Sequence, residues 1–128
     1  RQGLAMSRAR DLDCLMALAA MVREARRSDL ARAMQAREAT RAHIAALDRP
    51  AVSALDPLAE AQAALRYGRW ADARRAELNL SLARQTAAWI DARGAAAKAT
   101  ARADVIGDLV QSERTARLQA AARREGEG

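Results

Sequence analysis

The chain has 128 residues and a formal net charge of +6, from 22 Lys+Arg against 16 Asp+Glu. It holds no Phe, one Tyr and two Trp, so alanine supplies most of its apolar content and a thick aromatic core is excluded. No uncharged apolar run approaches the roughly 20 residues of a transmembrane helix, and a single cysteine, Cys14, excludes an intrachain disulfide.

Ala, Arg, Leu, Glu, Met and Gln dominate, and all are strong helix formers. With helical periodicity such a composition signals long helices or coiled coils. Residues 1–6 are expected to fray, and Ser7 is expected to cap a first helix running over 7–48. Apolar positions recur at Leu12, Leu15, Leu18, Val22 and Ala25, then at Leu30, Ala33, Thr40, Ile44 and Leu47. The later set keeps strict three–four spacing with Arg37 as its polar exception. The earlier set is offset from it, as a stutter would produce. Cys14, among Leu12, Leu15 and Met16, reads as a small buried hydrophobe.

Pro50 and Pro57 bound an elbow over 49–56, because proline ends helices. Ser53 and Asp56 have the spacing of a capping box, and Pro57 suits the first helical position. A second helix follows over 57–125. Its seam is read through Leu58, Ala61, Leu65, Leu78, Leu82, Trp89, Ala92, Ala96, Ala99, Ala103, Ile106 and Val110. Gly68 is the place where a kink is expected, whereas Gly94 and Gly107 are flanked by strong helix formers. Gly126 and Gly128 mark a fraying end. The fold class expected is all-α: two long antiparallel helices in a coiled-coil-like hairpin, the second longer than the first.

Folding the arms back directly at the elbow places Leu47 near Leu58, Leu30 near Arg75 and Leu15 near Ile90. At about 1.5 Å per residue the second arm then overruns the first by roughly 25 residues, about 103–125. That overhang carries Val105, Ile106, Leu109 and Val110. An isolated helix of this length is marginal in water, so these side chains are expected to pack with a partner. Near the elbow Arg66, Tyr67, Arg69, Trp70 and Arg74 combine aromatics and arginines, the types enriched at interface hot spots. These nine residues are the candidate partner-binding set. The plainer role for Tyr67 and Trp70 is to cap the helix seam.

Nothing in the sequence assembles an enzyme. His43 is the sole histidine and reads as a partly exposed helical residue. No Cys–His or Ser–His–acid set exists, no metal spacing, and no glycine-rich phosphate loop. No cofactor or small-molecule substrate is expected. Acids such as Glu24 and Glu38 lie among arginines at helical spacing and read as solvated local ion pairs. The 21 Arg against Lys98 alone are read as the mark of a GC-rich bacterial genome. Both signs are mixed throughout, so nucleic acid is the least favoured of the binding partners. The chain begins with Arg1, so a start upstream of it is expected, and the cytoplasm is the expected compartment.

From about Ser7 to Glu125, the length, hairpin layout and charge-rich helices resemble the FliJ family of flagellar type III export and its YscO-type relatives. The resemblance is one of architecture and transfers no individual residue. It implies a rod-like, non-catalytic adaptor that engages an export ATPase ring through its paired termini and an export gate or chaperones at its other end. The alternatives are a homo-oligomeric helical-bundle scaffold, in which hairpins self-associate, and a basic nucleic-acid-binding helical protein.

Overall fold

The computed structural model describes residues 2–48 and 56–127, and these form two helices, α1 (Gln2–Ala46) and α2 (Pro57–Glu127). α1 starts at Gln2, so residues 2–6 are helical and Ser7 lies within the helix instead of capping it. Leu4, Ala5 and Met6 are good helix formers, and Gly3 alone does not break the turn. The end of α1 tightens: the Leu47 and Asp48 amides donate to the Ile44 and Ala45 carbonyls at 3.1 and 3.2 Å. Such three-residue bonds satisfy carbonyls left open at a helix end. Pro50 and Ser53 lie outside the described residues.

Asp56 starts α2. Its carboxylate accepts from the Ala59 amide at 2.8 Å, and its carbonyl accepts the first intrahelical bond from Glu60 at 2.8 Å. Asp56 is therefore the N-cap, with Pro57 in the first helical position where its missing amide costs nothing. α2 then runs unbroken through Gly68, Gly94, Gly107 and Gly126. None of these glycines has positive φ, so the helix is not interrupted at Gly68. The strong helix formers around each glycine offset a cost of about 1 kcal/mol apiece.

The chain divides into two units, Leu30–Asp91 and Arg1–Asp29 with Ala92–Gly128. In the first, the side of α1 carrying Ala33, Arg37, Thr40, Ile44 and Leu47 meets the side of α2 carrying Ala71, Arg75, Leu78, Leu82, Gln85 and Trp89. Thr40, Leu47, Ala71 and Leu78 are buried and the others half-buried. Positions alternate three and four apart on both helices, the spacing of a coiled-coil seam. Leu58 and Leu65 fall out of phase with that repeat and are exposed.

In the other unit Ala9, Leu12, Ala19 and Arg23 of α1 are turned inward, as are Ala96, Ala99, Ala103, Ile106 and Val110 of α2. The α1 positions keep the same three–four phase as those from Leu30 onward, so no stutter occurs. Leu15, Leu18 and Val22 are left exposed.

The pairing register differs from the one expected. Arg75 meets Asp48 at 3.1 Å, not Leu30, and Arg37 meets Thr86 at 3.2 Å. Arg114, in the stretch expected to overhang, lies 3.8 Å from Asp13 of α1. The helices are displaced by about five turns from a tight fold-back. Ten residues separate α1 from α2, and at about 3.3 Å each a chain of that length spans such a shift. The elbow therefore does not dictate the register, and the seam does.

Leu78→Ala should lower the free energy of unfolding by about 2 kcal/mol, whereas Leu80→Ala, at an exposed position, should change it by less than about 0.5 kcal/mol. Urea melts followed by circular dichroism read the difference, and equal losses would mean that the seam has been misplaced. Asp56→Ala should cost about 1 kcal/mol in the same assay.

Candidate interaction surfaces

In the Leu30–Asp91 unit the polar exception in the seam has a defined role. The Arg37 guanidinium lies 5.0 Å from the centroid of the Trp89 ring, and its Nε–H donates to Thr86 Oγ1 at 3.2 Å. A planar guanidinium suits this place because it stacks and donates at once. Arg75 bridges the helices too, reaching Asp48 at 3.1 Å and Asp72 at 3.0 Å. Polar groups at fixed seam positions select one register among several that an alanine-rich seam would tolerate.

The expected aromatic cluster is present in part. Tyr67 and Trp70 have ring centroids 5.8 Å apart at 42°. The Tyr67 hydroxyl donates to the Leu47 carbonyl at 2.9 Å, so this ring closes the end of α1. Trp70 is 56% exposed, with Arg66 and Arg69 exposed near it. Arg74 is held by Glu77 at 3.1 Å. Trp70 with Arg66 and Arg69 is what remains for a partner.

The second expected surface changes more. Val110 is 5% exposed and belongs to the internal seam, and Ile106 is half-buried. The reason is the register: these residues pack against the start of α1 and do not overhang it. Val105 and Leu109 do face outward. They are joined by three α1 residues whose spacing in the sequence suggests a place in the seam. Leu15, Leu18 and Val22 line a groove of about 200 Å³ with Ala19, Ala99, Arg102 and Ile106. A shallow apolar recess continues it over Ala101 and Val105. The signal available in the sequence was the phase of Leu30–Leu47. Carried back unbroken, it turns Leu15, Leu18 and Val22 off the seam.

The groove lined by Met16, Ala20, Arg23, Ala103, Asp104, Gly107 and Asp108 in the same unit is more charged. Cys14 is exposed, contrary to expectation. It lies two residues from both Leu12 and Met16, which carries it about half a turn away from the seam. His43 is exposed on α1. Among the described residues no group of three His, Cys, Asp or Glu is placed to hold a metal ion, and no helix is long and apolar enough to cross a membrane. The expected local ion pairs are made: Arg27 to Glu24 at 3.1 Å and Arg41 to Glu38 at 3.4 Å.

No protein-family model, curated protein or solved structure matches this chain.

Tyr67→Phe should cost about 1 kcal/mol, because the Leu47 carbonyl loses its donor. Trp70→Ala should cost about 0.5 kcal/mol or less. Chemical denaturation of the two variants separates the ring that closes a helix end from the ring left for a partner. Equal destabilisation would remove Trp70 from the candidate surface.

Proposed function

We propose that this chain is a non-catalytic adaptor that works through its helix faces, in a bacterial flagellar or type III export apparatus. One observation carries the interaction role. Large apolar side chains face outward, among them Leu15, Leu18, Trp70, Val105 and Leu109. Exposed apolar patches of this kind mark association surfaces. The export setting rests on the architectural resemblance to the FliJ and YscO-type hairpins.

A protein partner is favoured over nucleic acid by the way the arginines are used. Arg26, Arg27, Arg41, Arg74 and Arg75 each hold an acid three residues away on the same helix. Guanidinium groups engaged in this way do not form the uncompensated basic stripe that phosphate binding needs.

The purified chain should co-elute with a hexameric export ATPase or with the cytoplasmic part of an export gate. Replacing both Arg69 and Trp70 by Ala should weaken that binding about tenfold or more. Absence of binding to either component would overturn the export assignment.

A further inference from the structure

We propose that the apolar face of the unit formed by 1–29 and 92–128 is covered by a second copy of this chain, set parallel to the first so that α1 of each copy lies along α2 of the other. The proposal goes beyond the export reading and does not depend on it. The first argument is the spacing of the outward rows. Leu15, Leu18, Val22, Ala25 and Asp29 follow one another at alternate steps of three and four on α1, and Lys98, Arg102, Val105, Leu109 and Ser112 do so on α2. That spacing keeps each set on one side of its helix, as in a seam. Both rows open onto one groove: Leu15, Leu18 and Val22 line it together with Arg102, and Val105 lines the recess beside Arg102. Leu18, Val22, Val105 and Leu109 are between 45% and 59% exposed, so each keeps area for a further contact.

The second argument is the level at which the rows stand. Asp13 meets Arg114 at 3.8 Å, and counting from that pair along the two helices puts Leu18 level with Leu109, Val22 with Val105, Ala25 with Arg102 and Asp29 with Lys98. A two-fold axis parallel to the helices keeps every residue at its own level. It lays α1 over α2 of the other copy, the two running antiparallel. Each level pair then becomes a contact between copies, made twice: leucine on leucine, valine on valine, and the Asp29 carboxylate over the Lys98 ammonium. Asp29 keeps its bond to Arg26 at 3.2 Å on its own helix, and the match is one of sign, not of an empty acceptor. A second copy turned end over end sets α1 on α1 and α2 on α2. About the middle of the 15–22 stretch, that leaves Val105 level with Ser112 and Lys98 level with Gln119, so α2 has neither the apolar partner nor the counter-charge. The parallel copy matches both helices.

Sedimentation equilibrium on the purified chain alone, with no partner added, should show a monomer–dimer equilibrium in the micromolar range. Leu18→Asp should weaken it about a hundredfold and leave the helical circular dichroism unchanged, because residue 18 faces solvent in the single chain. Lys98→Asp should weaken it about tenfold, and adding Asp29→Lys should restore it to within about threefold of the parent. Single-cysteine chains in a Cys14→Ser background, mixed under oxidising conditions and identified by intact mass, read the orientation. Leu18→Cys mixed with Leu109→Cys should give the 18–109 heterodimer, since a disulfide needs Cα atoms within about 7 Å, and little 18–18 homodimer. A monomer at every concentration overturns the proposal and leaves the face to a different protein. A predominant 18–18 disulfide overturns it as well, as does a failure of Asp29→Lys to rescue in chains that remain helical. None of these measurements involves an export ATPase, so the two readings fail separately.

Discussion

The seam between α1 and α2 is thin, with alanine at four of its eight buried positions among the described residues, Ala9, Ala71, Ala96 and Ala99, and the rest of the structure follows from that constraint. An alanine methyl removes little apolar area from water, and burial is worth about 25 cal/mol per Å². Such a seam gains stability by repetition along long helices, not by depth. Few large apolar side chains are buried: Leu47, Leu78 and Val110 stand beside Ala9, Ala71, Ala96 and Ala99. A seam of small residues also tolerates sliding, because one alanine fits the place of another.

The polar contacts across the seam answer that weakness. Arg37 stacks on Trp89 and donates to Thr86, and Arg75 joins Asp48. Each is modest, since partly exposed ion pairs contribute about 0–1 kcal/mol. Their value lies in discrimination. Sliding α2 by one heptad would take Trp89 from Arg37 and Arg75 from Asp48 together. Tyr67, bound to the Leu47 carbonyl, adds a check at the end of α1.

The same constraint explains the outward leucines. α1 is one unbroken helix, so positions seven apart stay on one face. Where Leu30, Ile44 and Leu47 set the inward phase, the alanines and Leu12 of the preceding stretch inherit it. Leu15, Leu18 and Val22 are then turned out. In this stretch Leu15, Leu18 and Val22 face outward while Ala9, Leu12 and Ala19 are turned to the seam.

The sequence by itself determined the helices. Composition made nearly every residue helix-compatible, Pro57 with Asp56 started α2, and the three–four spacing from Leu30 to Leu47 and from Leu78 to Val110 identified much of the seam. Tyr67 and Trp70 were legible as a pair, though not which of them would be tied to Leu47. Only the tertiary structure decided the register, and with it the surfaces. The distance between the helices in sequence allows many offsets, and local propensity is indifferent among them. What selected one was the simultaneous match of Arg37 with Trp89, Arg75 with Asp48 and Arg114 with Asp13. These pairs are far apart in the chain and carry no local signature. That choice buried Val110, half-buried Ile106 and exposed Leu15, Leu18 and Val22, because in a seam this thin a shift in pairing changes which large side chains remain in water.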